Sequence, residues 1–169
     1  MSKQNRARIR LEQMSEADFE DSLKRGIRML AADLVRLGLA TEELSLEASR
    51  AEFSELLPQG LKTPGHCLRN VLDAASGNRV GETWFTVKER GGRVHFLIDW
   101  IWIDSQYRRR GFATATLHAL EQEARKLGAD RTRLSVMTDN SGAVALYSKL
   151  GYSTTNIRMT KVLNQDPRE

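Results

Sequence analysis

Cysteine, proline and long apolar runs are all scarce in this chain of 169 residues. Its single cysteine, Cys67, excludes an internal disulfide and any Cys-x-x-Cys metal site, and nothing near it marks an activated thiol. No apolar run approaches the roughly 18 residues of a membrane span, and the polar N-terminus lacks a signal-peptide core. These absences predict a reduced, cytoplasmic protein with one domain over residues 1–163 and a polar tail over 164–169.

The charge of the chain is mildly basic overall but unevenly distributed. The formal net charge is +4, and residues 1–10 carry four basic groups and no acid. Residues 11–60 carry eleven acidic groups against five basic ones, and the remainder is basic again. Such a division can steer oppositely charged ligands to different faces, although single charges on helices are usually just solvated.

One stretch organises the chain, and it begins with an apolar strand over Val94–Ile103. The strand is almost continuously apolar and rich in β-branched and aromatic residues, which is typical of a strand covered on both faces. Asp99 interrupts the apolar run at its centre. Regular strand alternation places this carboxylate on the face of Leu97, Ile101 and Ile103.

An arginine-rich turn and a helix follow this strand. The run from Arg108 to Ala113 contains three arginines and Gly111, and it opens the helix. Backbone N–H groups and the positive end of the helix dipole favour a bound phosphate at such a turn. An ordinary strand-to-helix turn with solvated arginines has the same sequence pattern and stays open as the alternative. The apolar positions along one face of the helix, which ends at Gly128, are Ala113, Leu117, Leu120, Ala124 and Leu127.

The remaining pattern alternates helices and strands without internal repeats or a linker. Two hairpin turns are indicated, one at Ser76–Asn78 and one at Arg90–Gly92. The predicted helices are Phe19–Leu37 after a cap at Ser15, Glu42–Leu57, and a helix from Asn140 to Leu150. The predicted strands are Arg8–Glu12, Cys67–Leu72, Arg79–Glu89, Thr132–Thr138 and one or two within Tyr152–Leu163.

Two motifs resemble those of the GNAT acetyltransferases. Arg108-x-x-Gly111-x-Ala113 resembles the pyrophosphate-binding signature of that family and follows a long apolar strand, as it does there. The second motif, an asparagine and a helical tyrosine before a glycine-aromatic pair, is matched by Asn140, Ala143, Tyr147, Gly151 and Tyr152. The two motifs cover about the last two fifths of the chain. The loop Pro58–His66 is similar to small stand-alone bacterial members of unknown substrate.

The resemblance implies an α/β (α+β) fold with a mixed, mostly antiparallel sheet of six or seven strands and about four helices. The sheet would splay between its fourth strand, Val94–Ile103, and its fifth, Thr132–Thr138, with acetyl-CoA in the gap. Strand backbone would hold the pantetheine, and turn amides and arginines would hold the pyrophosphate. The implied cofactor-binding residues are Ile101, Trp102, Ile103, Arg108, Arg109, Arg110, Gly111, Phe112, Ala113, Thr114, Asn140 and Tyr147.

The chemistry implied by the family is direct attack of a neutral amine on the thioester. Asp99 is the candidate base, because many small-molecule members carry a strand carboxylate at that place. Tyr147 matches the tyrosine that protonates the departing thiolate, and Asn140 matches its cofactor-binding helper. A buried structural role for Asp99 and a core role for Tyr147 stay open as alternatives.

The acceptor is the least determined part of the prediction. Members that acetylate ribosomal-protein N-termini carry a glutamate where this chain has Ser135, which favours a small-molecule amine over a protein. The family's amine enters over residues equivalent to Phe19–Leu39 and Pro58–His66. A protein acetyltransferase and a non-catalytic CoA-binding regulator are the alternatives, and a homodimer is left open. No metal is expected, since His66, His95 and His118 lack metal-ligand spacing. Nucleic acid is not expected because the three adjacent arginines have no interleaved aromatic residues, and a membrane is not expected because no long apolar run is present.

Overall fold

The computed structural model describes residues 7–161 and 163. They form two compact units, the first ending at Ser135 and the second beginning at Val136. The predicted tail over 164–169 lies outside the described residues. Strands β1 (Ile9–Gln13), β2 (His66–Asp73), β3 (Arg79–Arg90), β4 (Arg93–Ile103) and β5 (Thr132–Leu134) belong to the first unit. So do helices α1 (Glu16–Arg36), α2 (Glu42–Leu56) and α3 (Phe112–Lys126), whereas α4 (Ser141–Lys149) belongs to the second.

The sheet runs in the order β1-β2-β3-β4-β5. Its first four strands pair antiparallel and β5 pairs parallel to β4, so the predicted mixed sheet and four helices are confirmed. The predicted number of six or seven strands is wrong, because the described residues form five. Residues 152–161 adopt no strand, although one or two were predicted within Tyr152–Leu163, and a strand needs a hydrogen-bonded neighbour as well as suitable residues.

Helix α1 begins where the local sequence places its cap. The Ser15 side chain accepts a hydrogen bond from the Asp18 backbone at 3.1 Å, and the Asp18 carboxylate accepts one from the Ser15 backbone at 3.3 Å. This capping box satisfies two otherwise unpaired N–H groups at the helix start. The predicted start of α1 at Ser15 is therefore confirmed.

Strand β4 carries an irregularity that strand alternation alone does not reveal. Trp84 of β3 pairs with Trp100 of β4, yet the next residue, Phe85, pairs with Ile98. Asp99 is therefore an extra, bulged residue that is not opposite any β3 residue in the strand register. A one-residue bulge reverses the alternation of every residue that follows it.

The bulge corrects two expectations for β4. Phe96 and Ile98 are buried, but Leu97 and Asp99 are exposed, so the strand is not covered on both faces along its whole length. Because the alternation reverses at Asp99, Ile103 turns to the opposite face from Leu97 and joins the residues beneath α3.

The two faces of the sheet hold separate apolar clusters. One lies below α1 and α2 and is built on Met14, Leu57, Leu68 and Trp84, with Phe53 and Trp100 packed against it. The other holds Val71, Val80, Ile103 and Phe112. Gly26 permits the first cluster to close, because a Cβ at that position would lie 2.6 Å from the Phe53 ring. Glycine at position 26 thus permits the close packing of α1 against α2.

Candidate active site

The sheet opens between β4 and β5 after a short paired section. Phe96–Ile98 pair with Thr132–Leu134, and β4 then continues to Ile103 with only β3 as a partner among the described strands. The edge of β4 from Asp99 onward is therefore free of strand pairing on the β5 side. The predicted fifth strand was too long, since β5 ends at Leu134 rather than Thr138. This early end makes the gap that a splayed sheet requires.

The turn before α3 presents the start of a helix without a side-chain cap. Gly111 is the N-cap with φ 88° and, as a glycine, supplies no side-chain cap to the first turn. Arg109 adopts φ 60°, a conformation that is unusual for a residue with a side chain. The first-turn N–H groups of Phe112, Ala113 and Thr114 have no intrahelical acceptors. A phosphate group would be well matched to these donors and to the helix dipole.

The three arginines of this turn are held differently. The Arg108 guanidinium lies 4.8 Å from the centre of the Trp102 ring, and its Nε donates to the Ile103 carbonyl at 2.9 Å. The Arg110 guanidinium lies 5.7 Å from the centre of the Phe112 ring. All three arginine residues are exposed, and Arg109 is the one with positive φ. The Trp102 side chain thus supports Arg108, and the Trp102 backbone belongs to the open edge of β4.

Asp99 stands at the bulge beside this open edge. Its Oδ2 accepts a hydrogen bond from the Thr86 hydroxyl at 2.6 Å. Although the residue is exposed rather than buried as predicted, the surrounding protein desolvates it, and this raises the pKa of the carboxyl despite the Thr86 hydrogen bond. A carboxylate with a raised pKa is a stronger base near neutral pH.

A second carboxylate, not considered in the sequence prediction, is fully buried on β3. Glu82 has no exposed surface and accepts hydrogen bonds from Ser22, Arg79 and Trp100 at 2.9, 2.6 and 3.2 Å. Arg25 of α1 forms an ion pair with it at 2.7 Å. An acidic residue inside an apolar strand was the same signal that singled out Asp99, so it could have been found. Its partners give Glu82 a structural role, joining α1 to the sheet.

The second unit carries the other two predicted site residues. Asn140 caps α4, and its Oδ1 accepts a hydrogen bond from the Ala143 backbone at 3.2 Å. The Tyr147 ring lies 5.8 Å from the Tyr152 ring and is half-buried. Burial raises the pKa of the Tyr147 phenol, so the hydroxyl keeps its proton at neutral pH.

The described residues contain no group of three or more potential metal ligands among their histidines, cysteines and acids. Cys67 is partly buried, and desolvation raises the pKa of its thiol, which fits the unreactive role expected for it. Within the same residues, no helix has the length and apolarity needed to cross a bilayer.

The open edge of β4, the start of α3 and Asp99 all belong to the first unit, and comparisons with known proteins identify the family of the chain. The sequence model of the acetyltransferase (GNAT) family matches residues 38–152. The uncharacterized N-acetyltransferase YdgE of Bacillus subtilis is 32% identical over 153 residues, which cover 90% of this chain and 97% of YdgE. The uncharacterized N-acetyltransferase YycN of the same species is 30% identical over 155 residues, which cover 92% of this chain and 99% of YycN.

The similarity to YycN extends to the folded structure. The crystal structure of YycN superimposes with a TM-score of 0.85 at 29% identity and covers 93% of this chain and 99% of that one. The chain therefore belongs to the GNAT family of acetyltransferases. Its class of activity is N-acetyl transfer, and the donor used by the family is acetyl-CoA.

Proposed function

We propose that this protein transfers the acetyl group of acetyl-CoA to a primary amine of a small molecule. The observation that carries the proposal is the end of β4–β5 pairing at Ile98, followed along the chain by the start of α3, whose N-cap Gly111 supplies no side-chain cap. Residues Ile101–Ile103 on the open edge would bind the pantetheine arm through their backbone. The amides from Arg109 to Thr114 would bind the pyrophosphate, with Arg108 and Arg110 adding positive charge.

The reaction needs three proton transfers around one acyl transfer. Asp99 takes a proton from the incoming ammonium, and the neutral amine nitrogen attacks the thioester carbonyl carbon. The C–N bond forms, the C–S bond breaks, and the thiolate of CoA leaves. Tyr147 donates its phenolic proton to this sulfur, in the role that the family motif assigns to it, and the second proton that the nitrogen loses on becoming an amide restores the phenol through solvent. The raised pKa of Asp99 suits a base, and the Tyr147 phenol, whose pKa is also raised by burial, is protonated at neutral pH and can donate.

The charge of α2 supports a cationic acceptor. Its five glutamates are all exposed, and it carries a single arginine, Arg50. The glutamates are Glu42, Glu43, Glu47, Glu52 and Glu55. By contrast, Asp33 of α1 is paired with Arg36 at 2.8 Å and contributes less to the field. An amine approaching over these helices would meet a negative potential.

We therefore expect the best acceptor to be an amine without net negative charge, with kcat/KM falling severalfold as salt rises. Screening acts over about 8 Å at physiological ionic strength, so a steering effect of exposed charges weakens in this range. The double variant Glu47→Gln, Glu52→Gln should lower kcat/KM and flatten its salt dependence, whereas Glu123→Gln on α3 should do neither. An anionic best substrate with salt-independent turnover would contradict the steering but not the acetyl transfer.

The placement of the cofactor is tested by the variant Gly111→Glu. The new side chain would add bulk and negative charge beside the amides expected to bind the phosphate, in a backbone conformation that disfavours a side chain, so we expect acetyl-CoA affinity to fall about tenfold or more. Gly128→Glu is the matched control, because Gly128 also has positive φ and lies at the other end of α3. Calorimetric titration with acetyl-CoA measures the dissociation constant of each variant. Equal affinity of the two variants would show that the pyrophosphate binds elsewhere.

The function itself is tested by measuring CoA release from acetyl-CoA against a panel of amines, peptides and proteins, together with CoA binding. Turnover with a small amine supports the proposal. Turnover restricted to peptides or proteins would favour a protein acetyltransferase, and tight CoA binding without turnover on any acceptor would favour a regulatory module.

A further inference from the structure

A connected set of polar side chains leads from Asp99 across the sheet to His66 at the start of β2. The Thr86 hydroxyl lies 2.6 Å from Asp99 Oδ2 and 3.3 Å from His66 Nδ1. The indole N–H of Trp84 lies 3.1 Å from the same Nδ1. Thr86 and Trp84 are buried, and His66 is partly buried. The four residues form what we call the Asp99 network.

The hydrogens of this network can be assigned from its donors. An indole N–H can only donate, so His66 Nδ1 must be an acceptor and the ring proton lies on Nε2. Desolvation and the charge of Lys88 lower the pKa of His66, which keeps the ring neutral. The Thr86 hydroxyl has one hydrogen, and the shorter contact assigns it to the ionised Asp99.

Protonation of Asp99 changes what the hydroxyl can do. When the proton lies on Oδ2, the carboxyl donates to Thr86 Oγ1, and the threonine hydrogen turns to another acceptor. His66 Nδ1 is within reach, although its single lone pair would be shared with Trp84. With Asp99 ionised, the Thr86 hydrogen points to the carboxylate, and the lone pairs of Thr86 Oγ1 and His66 Nδ1 face each other and repel. Protonation of Asp99 therefore replaces a repulsion between lone pairs by a hydrogen bond from Thr86 to His66, and both changes favour the protonated form of Asp99.

We propose that His66 is a positioning residue that strengthens Asp99 as the base by accepting the Thr86 hydroxyl when Asp99 takes up the proton of the substrate. This inference rests on the proposed function of Asp99. The proton stays on Asp99, and only the hydroxyl reorients, so no charge passes to the imidazole. Lys88 of β3 is the charged group whose field acts on both Asp99 and His66, and it is unchanged in every variant below.

Two variants of the network should shift the pKa of Asp99 in opposite directions. His66→Phe keeps a ring beside Trp84 but removes the acceptor, so the pKa should fall by about half a unit. Thr86→Val keeps the shape but removes the donor to the carboxylate, so the pKa should rise by about one unit. His118→Phe, the same change at an exposed site on α3, should leave it unaltered. General destabilisation cannot produce opposite shifts.

The measurement is a ¹³C NMR titration of the Asp99 carboxyl, assigned by its loss in Asp99→Asn, with the acid limb of kcat/KM recorded in parallel. The ¹⁵N shift of His66 Nδ1 should be that of an unprotonated nitrogen, which can be read without any variant. A protonated Nδ1, or shifts of the same sign in both variants, would overturn the inference. Opposite NMR shifts without a matching move of the kinetic limb would instead refute Asp99 as the base and leave the network intact.

Discussion

Replacing Tyr147 by phenylalanine is expected to lower kcat by roughly 10²–10⁴ while leaving the KM for acetyl-CoA almost unchanged. The substitution keeps the ring, its half-buried position and its packing against Tyr152. It removes only the hydroxyl, whose raised pKa keeps it protonated and able to donate to the thiolate of CoA. Because the proposed donation would occur as the C–S bond breaks, its loss should appear in kcat rather than in binding.

The test for Tyr147 is steady-state kinetics with the best acceptor of the panel, supported by a calorimetric measurement of acetyl-CoA binding. Tyr152→Phe removes a hydroxyl from the neighbouring ring and serves as the matched control, with an expected change of less than about threefold. If Tyr147→Phe turns over as fast as the parent, the tyrosine belongs to the packing of α4 and water protonates the thiolate.

Replacing Glu82 by alanine is expected to lower the free energy of unfolding by about 3–5 kcal/mol. The Glu82 side chain is completely buried, and its loss would leave Arg79 and the Trp100 indole without their shared acceptor and Arg25 without its ion-pair partner. Buried donors without an acceptor are destabilising because they lose their hydrogen bonds to water on folding and form none inside the protein. The large effect therefore comes from the partners that stay behind more than from the carboxylate itself.

Urea unfolding at constant m-value measures this loss. Glu12→Ala is the matched control, because Glu12 also pairs with an arginine at 2.8 Å but both side chains are largely exposed, and we expect a change within about 0.5 kcal/mol. Glu82→Gln keeps the shape of the side chain and removes only its charge, so its loss of unfolding free energy should lie between those of Glu82→Ala and Glu12→Ala. A loss below about 1 kcal/mol in Glu82→Ala would mean that water replaces the carboxylate and that α1 is held by apolar packing.

The candidate site was only partly readable from the sequence. The turn at Gly111 and the cap at Asn140 were recognised from residues close together in the chain, and both occur as predicted. Asp99 was recognised as unusual, but its exposure was not, because the expectation assumed a regular strand. The hydrogen-bonded connection from Asp99 through Thr86 to His66 was not predicted for a related reason. The three residues lie on different strands and come together only when β2, β3 and β4 pair.

Sequence alone determined the features whose causes are local. The capping box at Ser15, the hairpins after Asp73 and Arg90, and the stop of α3 before Gly128 each depend on a few neighbouring residues, and the helix and strand periods add to them. The family motifs are likewise short and contiguous. These features could be predicted to within a few residues, because nothing distant competes with them.

The tertiary structure decided the bulge at Asp99, the end of β5 at Leu134 and the burial of Glu82. Each depends on pairing or packing between residues far apart in the chain. The bulge arises because Trp84 pairs with Trp100 while Phe85 pairs with Ile98, and no property of β4 by itself specifies that mismatch. Strand register is chosen by side-chain packing on both faces of the sheet, so a one-residue change in β4 emerges only when all of its neighbours are in place.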